Sequence, residues 1–274
     1  MAATIFVLDL TALMAEDVLK LHMAAALPER QEKAMLLRQN PDRARCIGAG
    51  ILLAQAYDYY QKENRESAEA DSFVVFTDRA GIVSPGGENV AGKAAAGTAG
   101  SELWGSGPKM AVENENGEMH SLPCHIFSCD LSTVFETPLL SRLPRVLVGH
   151  KDKPYFENGP CFNLSHAGNL AACIMAPYPV GIDVERTRPC RDSVMKRCFA
   201  PEELARVHAA GGGIAADREF TAVWTKKEAQ AKLSGNGIAD IFGMGRGDGQ
   251  GRAMRTIRLC EDYALTAAWD LPSE

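Results

Sequence analysis

No apolar run in these 274 residues approaches the roughly 18 that a membrane-crossing helix needs. A basic excess is missing as well, since 29 Lys and Arg stand against 35 Asp and Glu, for a net charge of −6. A general nucleic-acid binder draws its affinity from neutralising phosphates, so this balance argues against one. Zinc-finger spacing is also lacking. The eight cysteines are scattered without a CxxC pair, and Cys124 and Cys129 have no second pair to complete a site. Met1–Leu10 has no basic stretch and meets Asp9 early, so it reads as a first strand rather than a secretory leader. Free thiols in a reducing cytosol are the expectation, and several cysteines sit in apolar runs as small buried hydrophobes. Gly243–Gly251 holds five glycines in nine residues but no GxGxxG spacing, and reads as a hairpin loop.

The chain does have the composition of an ordinary globular protein, 46% apolar and 23% charged. Residues 4–10 (TIFVLDL) predict a strand. Helical patterning follows over Ala12–Leu27 and Glu29–Gln39, breaks at Asn40-Pro41, and resumes from Asp42 to about Lys62. Phe73–Thr77 predicts a short strand. From Gly81 to Gly107 the chain is rich in glycine and alanine with little hydrophobic period, and 68–145 reads as an insertion of short strands and loops. Order returns after Arg145. Phe162–Leu164 leads into a polar turn at Ser165–Gly168, and Leu170–Ala176 and Val180–Glu185 read as strands. A helix starts at Ala200-Pro201-Glu202-Glu203, and a longer one spans Asp217–Ser234 and is closed by Gly235 and Gly237. Met254–Leu259 and Tyr263–Trp269 close the pattern as strands. Helix and strand signals are mixed rather than regularly alternating, which predicts an α+β fold.

Three segments carry chemistry. In Gly181-Ile182-Asp183-Val184-Glu185 the two acids lie two residues apart, hence on one face of a strand. Two such carboxylates either hold a hard divalent cation or are solvated. In Trp224-Thr225-Lys226-Lys227-Glu228-Ala229-Gln230-Ala231-Lys232, Glu228 and Lys232 share a helix face. They make either a surface ion pair or a metal ligand beside a phosphate contact. Asn163-Leu164-Ser165-His166 places hydroxyl and imidazole at a turn, suited to anion contact or to simple capping. Gly87–Ala94 has phosphate-loop spacing except that Ala94 stands where a Ser or Thr would bind the metal. The basic run Arg186, Arg188, Arg191, Lys196 and Arg197 offers a face for an acidic partner or an ordinary solvated surface.

Taken in this order, the three segments resemble the signatures of the 4′-phosphopantetheinyl transferases, in particular the longer single-chain class of the surfactin-synthetase-activating type. The resemblance runs nearly without gaps from about Lys153 to Gly237, and more weakly over Pro28–Leu52. It implies two similar α/β halves related by a pseudo-twofold, 1–178 and 179–274, with the insertion in the first half. It further implies transfer of the 4′-phosphopantetheine arm of coenzyme A to a serine of an apo acyl or peptidyl carrier protein. Asp183, Glu185 and Glu228 would hold Mg²⁺, with Mn²⁺ as the alternative. Arg30, Lys33, Arg45, Lys153, Ser165, His166 and Lys232 would bind coenzyme A, with Arg43 a competitor for the place of Arg45. The family's Gly-Lys-Pro element stands here as Asp152-Lys153-Pro154, with its glycine replaced. Asp183, His166, Glu228 and Lys232 would form the catalytic set. Glu228 is the family's favoured general base, but a dication lowers the basicity of a carboxylate bound to it, so the proton acceptor stays open. A cytoplasmic monomer without membrane or nucleic-acid partners is implied. The rivals are a metal-dependent nuclease, which uses the same carboxylates and lysine, and a carrier-binding module without turnover.

Overall fold

The computed structural model describes residues 3–63, 72–77, 109–114, 119–128, 143–237, 252–259 and 262–270. The stretch 81–107, including the phosphate-loop-like spacing at 87–94, and the glycine run 243–251 lie outside them. Strand β1 (Thr4–Asp9) leads through a short 3₁₀ turn to α1 (Glu16–Ala25), α2 (Pro28–Leu36) and α3 (Asn40–Glu63). The helical pattern breaks at 37–39, just ahead of Pro41. Pro41 lies in the first turn of α3, where its missing N–H has no intrahelical partner to lose. Strands β2 (Ser72–Thr77), β3 (Lys109–Asn114) and β4 (Met119–Ser128) come from the interval read as an insertion. Then follow the small hairpin β5 (Val146–Val148) and β6 (Pro154–Phe156), and strands β7 (Cys161–Ala167), β8 (Leu170–Ala176) and β9 (Val180–Arg186). Helices α4 (Asp192–Cys198), α5 (Pro201–Ala209) and α6 (Gly213–Ser234) precede β10 (Arg252–Leu259) and β11 (Tyr263–Asp270). Among the described residues no helix is long and apolar enough to cross a membrane.

Among the described residues nine strands form one mixed sheet in the order β7-β8-β1-β2-β4-β3-β10-β11-β9, giving an α+β architecture. Alternation along the strands separates its two faces. Ile5, Val7, Ala172, Ile174, Ile182, Val184, Leu265 and Ala267 turn into one core. Phe6, Leu8, Cys173 and Met175 face the other way and pack under α3 with Ile47, Ile51 and Leu52. Strand β8 is buried on both faces, which is why Leu170–Ala176 reads as a continuous apolar run.

The ends of that order, β7 and β9, come side by side, so the sheet curls around its inner core. They are joined by side chains. The Ile182 N–H donates to Asn163 Oδ1 at 2.9 Å and the Val184 N–H to Ser165 Oγ at 3.2 Å. The polar turn expected at Ser165–Gly168 is therefore corrected. Strand β7 continues through Ala167, because Asn163 and Ser165 project toward β9, and the chain reverses at Gly168 (φ +51°).

Helix α6 lies on β9 and β11 at unusually close range. A Cβ built on Gly181 would fall 2.2 Å from the Ala229 carbonyl oxygen and 2.5 Å from the Leu233 nitrogen, both backbone atoms that cannot rotate away. This contact seats the last turns of α6 directly over the carboxylate face of β9. Gly181→Ala is expected to destabilise by at least about 2 kcal/mol, the cost typical of overpacking, and so to lower Tm by roughly 4–8 °C. An unchanged thermal melt would show that α6 does not depend on this contact.

Candidate active site

The site is built where β7, β9 and α6 meet. Asp183, 4% exposed, receives the Lys232 ammonium on Oδ1 at 2.7 Å and the Ser165 hydroxyl on the same oxygen at 2.9 Å. Lys232 also donates to Ser165 Oγ at 2.9 Å. Ser165 is thus saturated. Its one proton goes to Asp183, and its two acceptor positions take Val184 N–H and Lys232. In this arrangement Ser165 has nothing left for a phosphate and acts instead to fix Asp183 and Lys232. Lys232 has spent two of its three protons.

The second oxygen of Asp183, Oδ2, is buried without a hydrogen-bond partner among the described residues. An orphaned carboxylate oxygen in such a place is costly unless a ligand supplies positive charge. Glu185 and Glu228 lie in its field. Burial, then the charge of Asp183, pushes both carboxyls above the ordinary range, against the pull of Lys232 and Arg188. Asp183 is engaged by Lys232 and Glu185 by Arg188 at 3.0 Å, and among the described residues no three His, Cys, Asp or Glu are gathered closely enough in this arrangement to hold a metal ion. Three carboxylates with one orphaned oxygen nevertheless suit the donor set of a hard divalent cation.

A cationic wall faces His166. The imidazole has its pKa lowered by desolvation first and then by Arg45, Lys232 and Arg30, so it is neutral at neutral pH. Arg45 donates to the Gly168 carbonyl at 3.2 Å and to Asp42 at 2.5 Å, which anchors it beside the β7–β8 turn. Arg43 turns away to the Leu37 carbonyl at 2.9 Å. Of the two, Arg45 is the one brought to His166. Arg30 lies across Gly50 of α3, and Lys33 is exposed one turn further along α2. Lys153 is used otherwise. Its ammonium donates to the carbonyls of Lys232 (2.6 Å), Leu233 (3.1 Å) and Val180 (3.2 Å), so it caps the C-terminus of α6 and presents no proton to coenzyme A.

Two residues of the Trp224–Lys232 segment serve packing. Lys227, 2% exposed, pairs with Glu203 at 2.8 Å, and Glu203 in turn accepts the Ala200 N–H that opens α5. Trp224 carries Arg188 over its ring at 5.9 Å. A row of hydroxyls behind the site, Thr225–Thr266–Thr256 with 3.0 Å between neighbours, ties α6 to β11 and β10. The sequence reading passed over all three threonines. Their signal was a polar residue recurring within otherwise buried strand and helix faces.

Because the folded state raises the carboxyls of Glu185 and Glu228, their charges oppose folding once pH rises through those elevated values. Below the ordinary carboxylate range both states are protonated and the penalty is absent. The metal-free Glu228→Gln variant should therefore melt above the parent protein at pH 7, with the difference closing toward pH 4. A Tm increment that is absent at pH 7, or constant over that range, would remove the crowding of these acids.

Residues 179–266 match the family model of the 4′-phosphopantetheinyl transferase superfamily. Over 89 residues the chain is 34% identical to a 4′-phosphopantetheinyl transferase of Bacillus subtilis, covering 32% of this chain and 39% of the relative. It is 39% identical over 90 residues to the 4′-phosphopantetheinyl transferase HetI of a Nostoc strain, covering 32% and 38%. Against the 4′-phosphopantetheinyl transferase psf-1 of Bacillus pumilus it is 33% identical over 119 residues, covering 42% and 45%. Each of these matches spans less than half the relative's own length. The Gly181–Glu185 and Trp224–Lys232 segments both lie inside the matched region and fold against one another, so it is this part of the chain that is similar to the 4′-phosphopantetheinyl transferase superfamily.

Proposed function

We propose that this chain transfers the 4′-phosphopantetheine arm of coenzyme A to a serine of an apo acyl or peptidyl carrier protein and releases 3′,5′-ADP. One observation carries the reading. Ser165, Asp183 and Lys232, from three separate segments, meet within 2.9 Å of one another beside the neutral His166 and the cations Arg30 and Arg45 that face it. Carboxylates next to concentrated positive charge suit a metal-bound pyrophosphate better than a neutral substrate.

In this mechanism the carrier serine oxygen forms a bond to the β-phosphorus, the bond from that phosphorus to the oxygen of 3′,5′-ADP breaks, and the serine proton leaves. Asp183, Glu185 and Glu228 would hold Mg²⁺ or Mn²⁺, whose chemistry there is to neutralise pyrophosphate charge. Lys232 has one uncommitted proton for a phosphoryl oxygen, where charge gathers in the transition state. Arg45, Arg30 and Lys33 would grip the outer phosphates of coenzyme A, and the neutral His166 would donate a hydrogen bond without bringing a further charge. Ser165 and Lys153 act one step back, by holding Asp183 and the end of α6. Glu228 is the candidate to receive the serine proton, directly or through a bound water. We read the molecule as a cytoplasmic monomer of two related halves, 1–178 and 179–274. The long helices α3 and α6, each laid on its own strands of the sheet, support that division.

Intact mass of an apo carrier protein incubated with this chain, coenzyme A and Mg²⁺ should rise by one phosphopantetheine arm. Asp183→Ala should slow the transfer at least about 100-fold, as loss of a principal electrostatic contact does. A near-normal rate in that variant would dismiss the carboxylate assignment. Arg45→Ala should raise the KM for coenzyme A more than for its dephospho form, while Arg43→Ala leaves both unchanged. The opposite pattern would exchange the two arginines.

A further inference from the structure

Just beyond β9 the chain carries a cation that the transfer reaction does not require. Arg188 donates to Glu185 Oε1 at 3.0 Å, its guanidinium lies over the Trp224 ring at 5.9 Å, and its backbone N–H reaches Thr221 Oγ1 at 3.4 Å. It is thus held at three points, two of them on α6. Lys232 is in contact with Asp183, whereas Arg188 is the cation paired directly with Glu185, and both cations pull on the carboxyls of Glu185 and Glu228.

We propose that Arg188 is a built-in counter-ion that occupies Glu185 in the metal-free protein and competes with the divalent cation for that carboxylate. This inference rests on the assignment of Glu185 to the metal. A cation arriving at the three acids meets in Glu185 a carboxylate whose charge the guanidinium on Oε1 already shares, so the two compete for it even when they sit on different oxygens. The Trp224 ring gives the displaced guanidinium a place to remain, since the negative face of an indole attracts it whether or not Glu185 is engaged. Without metal, the two cations Lys232 and Arg188 offset all but one of the three carboxylate charges; with a divalent cation bound, the metal and Lys232 balance all three and the arginine is released to the ring. The device keeps three close acids folded before the metal arrives, at a cost in metal affinity.

The test is a Mn²⁺ titration of the full-length chain at pH 7.5, followed by loss of the free-ion electron paramagnetic resonance signal, with and without coenzyme A. Arg188→Gln keeps most of the side-chain stem and removes the charge. It should bind Mn²⁺ about three- to fivefold more tightly than the parent, the range expected for releasing a partly exposed ion pair. Arg188→Lys keeps the charge and should stay within about twofold of the parent. Thermal melts of both variants establish that they are folded. Equal or weaker Mn²⁺ binding by Arg188→Gln overturns the proposal. So does a raised KM for coenzyme A with unchanged Mn²⁺ affinity, which would make Arg188 a phosphate contact. If the parent protein retains no Mn²⁺ under either condition, the metal assignment falls and takes this inference with it. Binding by the parent that is lost in Asp183→Asn but unaffected by Arg188→Gln sinks the inference alone.

Discussion

Two side chains take the place of a strand. Asn163 and Ser165 stand two residues apart on β7, and the N–H groups of Ile182 and Val184 on β9 have the same spacing. Because side chains alternate along β structure, this match of period lets one strand satisfy the outward donors of another without a backbone ladder. Each of those donors would otherwise be buried without a partner, at about 1–3 kcal/mol apiece. The two ends of the sheet are thereby locked together at the position where Asp183 projects. Ser165 then uses its remaining bonds to orient the carboxylate and Lys232. The inner core, the closure of the sheet and the alignment of the reactive groups all depend on this pair.

The other half of the alignment comes from depth. Gly181 lets the backbone of α6 approach β9 closely enough for the side chains at 228 and 232 to hang over the carboxylates. The helix is then secured along its length. Lys227 and Glu203 bind it to the start of α5, the threonine row binds its middle to β11, and Lys153 holds its final carbonyls. Few of these residues would touch a substrate, yet they determine where Glu228 and Lys232 stand. An active site of like charges needs such external restraint, because its own groups repel one another.

Residue spacing made much of this legible. Asp183 and Glu185 on a strand, and Glu228 and Lys232 on a helix, followed from periods of 2 and 3.6, and β8 and α5 were visible as an apolar run and a proline-led start. What escaped the reading was anything decided by tertiary partners. Ser165 looked like a turn residue offered to an anion because serine next to histidine and glycine favours turns, whereas its hydroxyl is consumed within the protein. Lys153 stands as a phosphate ligand only through the resemblance of Asp152-Lys153-Pro154 to the family's Gly-Lys-Pro element, and only the fold brings the last turn of α6 to it. The choice between Arg43 and Arg45 could not be read from a helix wheel, since it depends on the Gly168 carbonyl, far away in sequence. The hairpin β5–β6 and helix α4 are short elements whose few residues carry no full period.

The wall of Arg30, Arg45 and Lys232 around His166 belongs to a chain whose net charge is −6. An approaching anion therefore meets two opposing fields, repulsion from the body of the protein at a distance and attraction at contact. Mobile ions separate them, because the screening length is about 10 Å at 0.1 M salt, longer than a direct contact and shorter than the molecule. Moderate salt then weakens the outer repulsion sooner than the inner grip. For the proposed polyanionic substrate, this arrangement predicts an optimum of capture at intermediate salt rather than a steady decline.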